Sequence, residues 1–106
     1  MARAIVKVPA QAKKGEIIEI RTLASHSMET GYRHSDTGKP IPRDIITRFV
    51  CTYNGVEVFS ADLYPAIAAN PYLAFSTVAT ESGKLEFKWT GDNDFSVTES
   101  ASIAVL

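Results

Sequence analysis

The chain has little of what most active sites are built from. One cysteine and two histidines occur in 106 residues, so no internal disulfide can form, and any imidazole chemistry rests on His26 and His34. A phosphate-cradling glycine loop, a G-x-S-x-G elbow, a C-x-x-C pair and an H-E-x-x-H motif are all missing. Their absence removes the motif-based routes to nucleotide binding, ester hydrolysis, dithiol redox chemistry and zinc proteolysis. No apolar run approaches the ~20 residues that a membrane-crossing helix requires. "MARAIVKVPA" carries neither an apolar leader core nor a cleavage site, and by itself this predicts a cytoplasmic chain. A formal net charge of -1 supplies no global field toward nucleic acid or an anionic membrane.

With 45% hydrophobic and 22% charged residues the chain has enough apolar matter for a packed core, and its length predicts one domain over residues 1–106. Charge is unevenly spread. Residues 1–50 hold nine Lys/Arg against five Asp/Glu, and residues 51–106 hold two against seven, an asymmetry that often records a partner surface.

Hydrophobicity alternates with period two nearly throughout, the mark of half-buried strands. "AIVKV" opens the pattern, and "EIIEIRTL" sets Ile18 and Ile20 against Glu19 and Arg21. "IITRFVCTY" places Ile45, Phe49, Cys51 and Tyr53 on one side, interrupted by Thr47. Asn54-Gly55 predicts a two-residue hairpin, because both central positions tolerate positive φ. A second hairpin is predicted with Ser82-Gly83 in its turn, Leu85, Phe87 and Trp89 alternating with Glu86 and Lys88. "GDND" predicts a third turn before "FSVTESASIAVL", where Glu99 falls on the apolar parity and needs either a bulge or a place near the rim. "ADLYPAIAANPY" is too interrupted by proline for a strand and reads as a crossover with at most one helical turn. About seven antiparallel strands without a helix-period segment predict an all-β, immunoglobulin-like sandwich.

One segment stands apart. "SHSMETGYRHSDTGKPIPRDIITRF", residues 25–49, holds both histidines, two prolines and two glycines, and loops this long usually either function or are disordered. His26 and Glu29 with His34 and Asp36 are chemically suitable metal ligands, but their spacing matches no established site, and loop hydrogen bonding explains them as well. Cys51 shares a strand face with Phe49 and Tyr53, where a thiol behaves as a buried hydrophobe of raised pKa. Tyr53 and Trp89 read as core, whereas Tyr64 and Tyr72 flank the proline-containing crossover and are candidates for contact with a partner. Arg33, Lys39, Arg43 and Arg48 form a basic group suited to an acidic partner or small oxyanion, or simply to a solvated loop.

"KKGE", "METG", "GKPIPR", "YNGVEVFSADL", "ANPY" and "TESGKLEF" follow one another in order, and over essentially the whole length the chain resembles the SoxZ family of sulfur-oxidation proteins. Ser27 in "HSMETG" departs from the family pattern, where proline is usual. The resemblance implies an immunoglobulin-like sandwich without a catalytic residue, metal or cofactor. It also implies a partner, SoxY, whose C-terminal arm bears a cysteine in a Gly-Gly-Cys-Gly-Gly tail that holds thiosulfate-derived sulfur while other Sox enzymes act on it. Export on SoxY into the periplasm is implied too, against the cytoplasmic expectation. On this footing the long loop is a docking surface, with Met28, Glu29, Tyr32 and Arg43 as expected SoxY contacts beside Tyr64 and Tyr72. A small metal- or thiol-dependent protein using His26, His34 or Cys51 is the alternative.

Overall fold

The computed structural model describes residues 3–106. Eight strands form in chain order: β1 (Arg3–Lys7), β2 (Gln11–Ala12), β3 (Ile17–Ser25), β4 (Ile46–Tyr53), β5 (Val56–Asp62), β6 (Tyr72–Val78), β7 (Gly83–Gly91) and β8 (Ser96–Val105). They make a three-stranded sheet ordered β1-β3-β6 and a five-stranded sheet ordered β2-β8-β7-β4-β5, an immunoglobulin-like sandwich. The eighth strand beyond the expected seven is β2, a two-residue parallel addition to the end of β8.

Alternation decides which side of each sheet is buried. In β3 the buried set is Ile18, Ile20, Thr22 and Ala24, and in β7 it is Leu85, Phe87 and Trp89. A register shift between Ile46 and Arg48 against β7 lets both Ile45 and Ile46 face inward at the start of β4. Thr47 therefore interrupts nothing; it lies at the irregularity, where its hydroxyl donates to the Thr90 carbonyl at 3.3 Å.

Phe49 is the hub of the core. Its ring lies 5.0 Å from Trp89, 5.9 Å from Phe75 and 6.1 Å from Phe59, while Phe59 and Phe75 stack at 4.3 Å and close the gap between β5 and β6. Trp89 is fully buried, and its indole N–H has no partner. An unmet buried donor costs ~1–3 kcal/mol, whereas removing a tryptophan-sized apolar surface from water contributes ~4–6 kcal/mol. Burial wins, so the indole stays inside.

The turns bear out two of three sequence expectations. Asn54 and Gly55 both adopt positive φ, 49° and 84°, and close the β4–β5 hairpin. The GDND turn joins β7 to β8, with Asn93 and Asp94 at φ 57° and 59°. The hairpin expected at Ser82-Gly83 does not form. There β6 pairs with β3 and β7 with β4 and β8, so residues 79–82 carry the chain from one sheet to the other. The reason lies at both ends of that arch. Ala79 is bonded to Gly15 and Glu16 beside β3, and Tyr53 donates its hydroxyl to the Glu81 carbonyl.

Glu99 sits opposite Phe87 without a bulge and is half-buried. β2 pairs only with Ala104 and Val105, so Glu99 lies where β8 has no strand hydrogen-bonded to its outer side, and an inward-pointing carboxylate there discourages pairing with another strand.

Candidate functional site

The segment between β3 and β4 is a distorted hairpin, here called the spur. Glu29 and Asp44 exchange both backbone hydrogen bonds at 2.8 Å. Ile41 N–H donates to Arg33 O at 2.9 Å, and Ser35 N–H to Lys39 O at 2.8 Å. Gly38 N–H returns to Ser35 O at 2.9 Å and closes the tip. Pro40 and Pro42 flank the donating Ile41 and bring no N–H of their own, so the outer edge of this arm cannot template another strand. The protein measures 59 × 20 × 19 Å, well beyond the ~34 Å covered by a ten-residue strand. The spur accounts for the excess.

Its base is tied down on three sides. His26 N–H donates to Asn70 Oδ1 at 2.9 Å and Asn70 N–H to His26 O at 2.7 Å, clamping the spur to the β5–β6 crossover. His26 Nδ1 accepts the Met28 N–H at 2.9 Å, and the ring meets Phe95 edge-on at 4.7 Å. This tight turn holds Met28 at φ 53° and sends its side chain inward, where Sδ accepts the Ile46 N–H at 3.2 Å.

Ion pairs brace the exposed parts. Arg33 forks onto Glu29 at 2.6 and 3.2 Å. Arg43 forks onto Asp92 at 2.9 and 2.8 Å, and Asp92 also accepts the Ile45 N–H at 3.2 Å. The Arg33 guanidinium holds the Glu29 carboxyl below its ordinary pKa, and Arg43 does the same for Asp92. Arg48 pairs with Asp62 at 2.7 Å. Three of the four basic residues singled out in the sequence are therefore engaged by carboxylates, leaving only Lys39 without an ion-pair partner among the described residues.

The residues expected to face a partner fall into two groups. Tyr32 on the spur, Tyr64 on the crossover and Tyr72 at the start of β6 are 79%, 63% and 57% exposed, and all three lie at the end of the sandwich from which the spur rises. Glu29 and Arg43 are there as well, serving as braces. Met28 departs from the expectation: it is 4% exposed, and its thioether is spent on Ile46 inside the fold rather than offered to a partner. The crossover makes a single turn at Tyr64–Ile67, with no helix.

The groups required by the alternative reading do not converge. His26 lies at the spur base and His34 near the tip, bridged to Pro40, while Cys51 is buried in β4. Among the described residues no three His, Cys, Asp or Glu side chains gather to hold a metal ion. Burial pushes the Cys51 thiol up to about 12, so it is not a nucleophile at neutral pH.

Sequence reasoning missed Asp92 and Asn70, whose roles depend on partners 49 and 44 residues away. It also missed Ile5 and Leu23, exposed at 62% and 39% on the outer face of the three-stranded sheet. Leu23 was legible as an apolar residue on the parity of Glu19 and Arg21.

The family model described as "Sulphur oxidation protein SoxZ" matches residues 6–102. The chain belongs to the SoxZ family. Curated proteins offer no significant sequence match. Among solved structures, a superoxide reductase (neelaredoxin) from Ignicoccus hospitalis is similar at TM-score 0.75 and 15% identity, over 99% of this chain and 82% of that one. The sulfur carrier protein SoxY from Chlorobium limicola f thiosulfatophilum is similar at TM-score 0.69 and 12% identity, over 97% and 78%. The CARDB domain of PF1109 from Pyrococcus furiosus is similar at TM-score 0.55 and 14% identity, over 97% and 94%. At such identities the likeness speaks for the fold alone. In this SoxZ-family chain "METG" and "GKPIPR" form the two sides of the spur, and "ANPY" supplies the Asn70 clamp at its base.

Proposed function

We propose that this SoxZ-family chain is the non-catalytic subunit of a SoxYZ sulfur carrier: it binds and supports SoxY, whose C-terminal arm cysteine carries the sulfur intermediates of thiosulfate oxidation. The observation that carries the reading is a braced, projecting spur with Tyr32 79% exposed. A projecting element held by two ion-pair forks and an Asn70 clamp loses little freedom on docking, which lowers the ordering cost of binding. Exposed tyrosines provide large contact area with few rotatable bonds.

The withdrawn thiol of Cys51 supports a scaffold role in which covalent chemistry belongs to the partner. Other Sox enzymes meet this chain transiently, through the complex. The pair works in the periplasm, and this chain travels there with SoxY. Alanine substitution at Tyr32, Tyr64 and Tyr72 tests the contact surface: at least a tenfold loss of SoxY affinity is expected, and unchanged affinity in all three disposes of it.

A further inference from the structure

The outer face of the three-stranded sheet carries an apolar row that remains open to solvent among the described residues. Ile5 pairs with Leu23 and Leu23 with Tyr72, so three apolar side chains lie abreast across all three strands. They are 62%, 39% and 57% exposed. On one side the next position of β1 on this face is Arg3; on the other, Lys7 and Arg21 stand side by side. Among the described residues of the three strands Glu19 is the only carboxylate on this face, and it is paired to Arg21 at 2.7 Å. The face is thus an apolar strip bordered by cations, and Arg3 and Lys7 have no ion-pair partner among the described residues.

Resting on the reading of this chain as a SoxY-binding subunit, we infer that this row is the seat of the folded SoxY domain, and that SoxY meets it with an apolar patch rimmed by carboxylates. Two observations favour that occupant. Tyr72 makes the row continuous with the spur end of the sandwich, so one partner can span both. Charge selects against a second copy: Arg21 is neutralised by Glu19, but a face-to-face pairing of two copies centred on the row gathers Arg3 and Lys7 of both chains around one apolar centre, and like charges brought together there cost affinity. An acidic rim instead meets Arg3 and Lys7 favourably and speeds encounter at low salt.

The test is titration of SoxY from the same source into the wild-type chain and into Leu23→Ser, Ile5→Ser and Arg3→Glu/Lys7→Glu variants. Val56→Ser, an equally open position on β5, serves as the control. Circular dichroism establishes that each variant is folded, and Ile5→Ser provides a second reading of the row if Leu23→Ser is not. The inference requires at least tenfold weaker binding for a row variant, no change for Val56→Ser, and a smaller salt dependence for the charge-reversed variant. Equal affinity of wild type and folded row variants overturns the assignment of this face and leaves the partnership standing. A wild-type chain that fails to bind SoxY overturns the partnership itself. A self-associated wild-type chain that Leu23→Ser renders monomeric, with SoxY affinity unchanged, hands the face to a second copy.

Discussion

Arg43 and Asp92, 49 residues apart in sequence, close a two-pronged ion pair that ties the returning arm of the spur to the β7–β8 turn. Because Asp92 also accepts the Ile45 N–H, one carboxylate fixes both the side chain and the backbone where the spur re-enters β4. A projecting hairpin has few contacts beyond its own, so its orientation depends on such ties at the base.

Asp92 has its pKa lowered from an ordinary 3.8, first by the hydrogen bond from Arg43. The folded state therefore releases this proton more readily than the unfolded chain does. The resulting stabilisation is complete well above 3.8 and disappears as pH falls through the folded-state value. Thermal melts of wild type and Asp92→Asn should differ by a constant amount at neutral pH and converge below about pH 4. Parallel curves down to strong acid would place the stabilisation elsewhere.

Met28 offers a sharper perturbation. Met28→Ala removes a buried side chain and should cost ~2–5 kcal/mol by denaturant unfolding. Met28→Leu keeps most of the volume but leaves the Ile46 N–H without its sulfur acceptor, for ~1 kcal/mol. If Met28 were instead a surface contact, both changes would fall within about 0.5 kcal/mol of wild type.

Much of the architecture could be read from the residues, and the failures have physical causes. Asn54-Gly55 and the alternation of Leu85, Phe87 and Trp89 are local signals, and local signals were enough for the hairpin and for the buried face of β7. Ser82-Gly83 is an equally good turn by composition. Whether a turn joins two strands of one sheet or carries the chain between sheets is decided by distant partners such as Tyr53 and Gly15, which no window of sequence contains. The same holds for the candidate site. Exposure of Tyr64 and Tyr72 followed from nearby prolines, but the inward turn of Met28 depends on a His26 ring nitrogen and a positive φ. The spur looked like an irregular loop because prolines at 40 and 42 and a scarcity of aliphatic residues conceal the pairing of Glu29 with Asp44.

Cys51 should be silent in the native protein. Its thiol is pushed from an ordinary 9.0 up to about 12 by burial, so a disulfide reagent at pH 8 should leave it unmodified for hours, yet titrate one thiol per chain in denaturant. Rapid labelling of the folded chain would return Cys51 to consideration as a reactive group.

Gly31 tests the spur without touching the core. It adopts φ +89°, and a Cβ there would lie 3.0 Å from Arg43 Cβ. Gly31→Ala should therefore strain the hairpin by ~1 kcal/mol or more and speed hydrogen exchange at Ile41 and Asp44. Amides of β4 and β7 should keep their protection.

The measurement that bears most directly on the central claim is native mass spectrometry of this chain, tagged and co-expressed with untagged SoxY from the same source, as wild type and as Tyr32→Ala. The account predicts a stoichiometric complex that survives purification of the wild-type chain and is depleted at least tenfold for the variant. Failure of SoxY to co-purify while both chains are folded would contradict it.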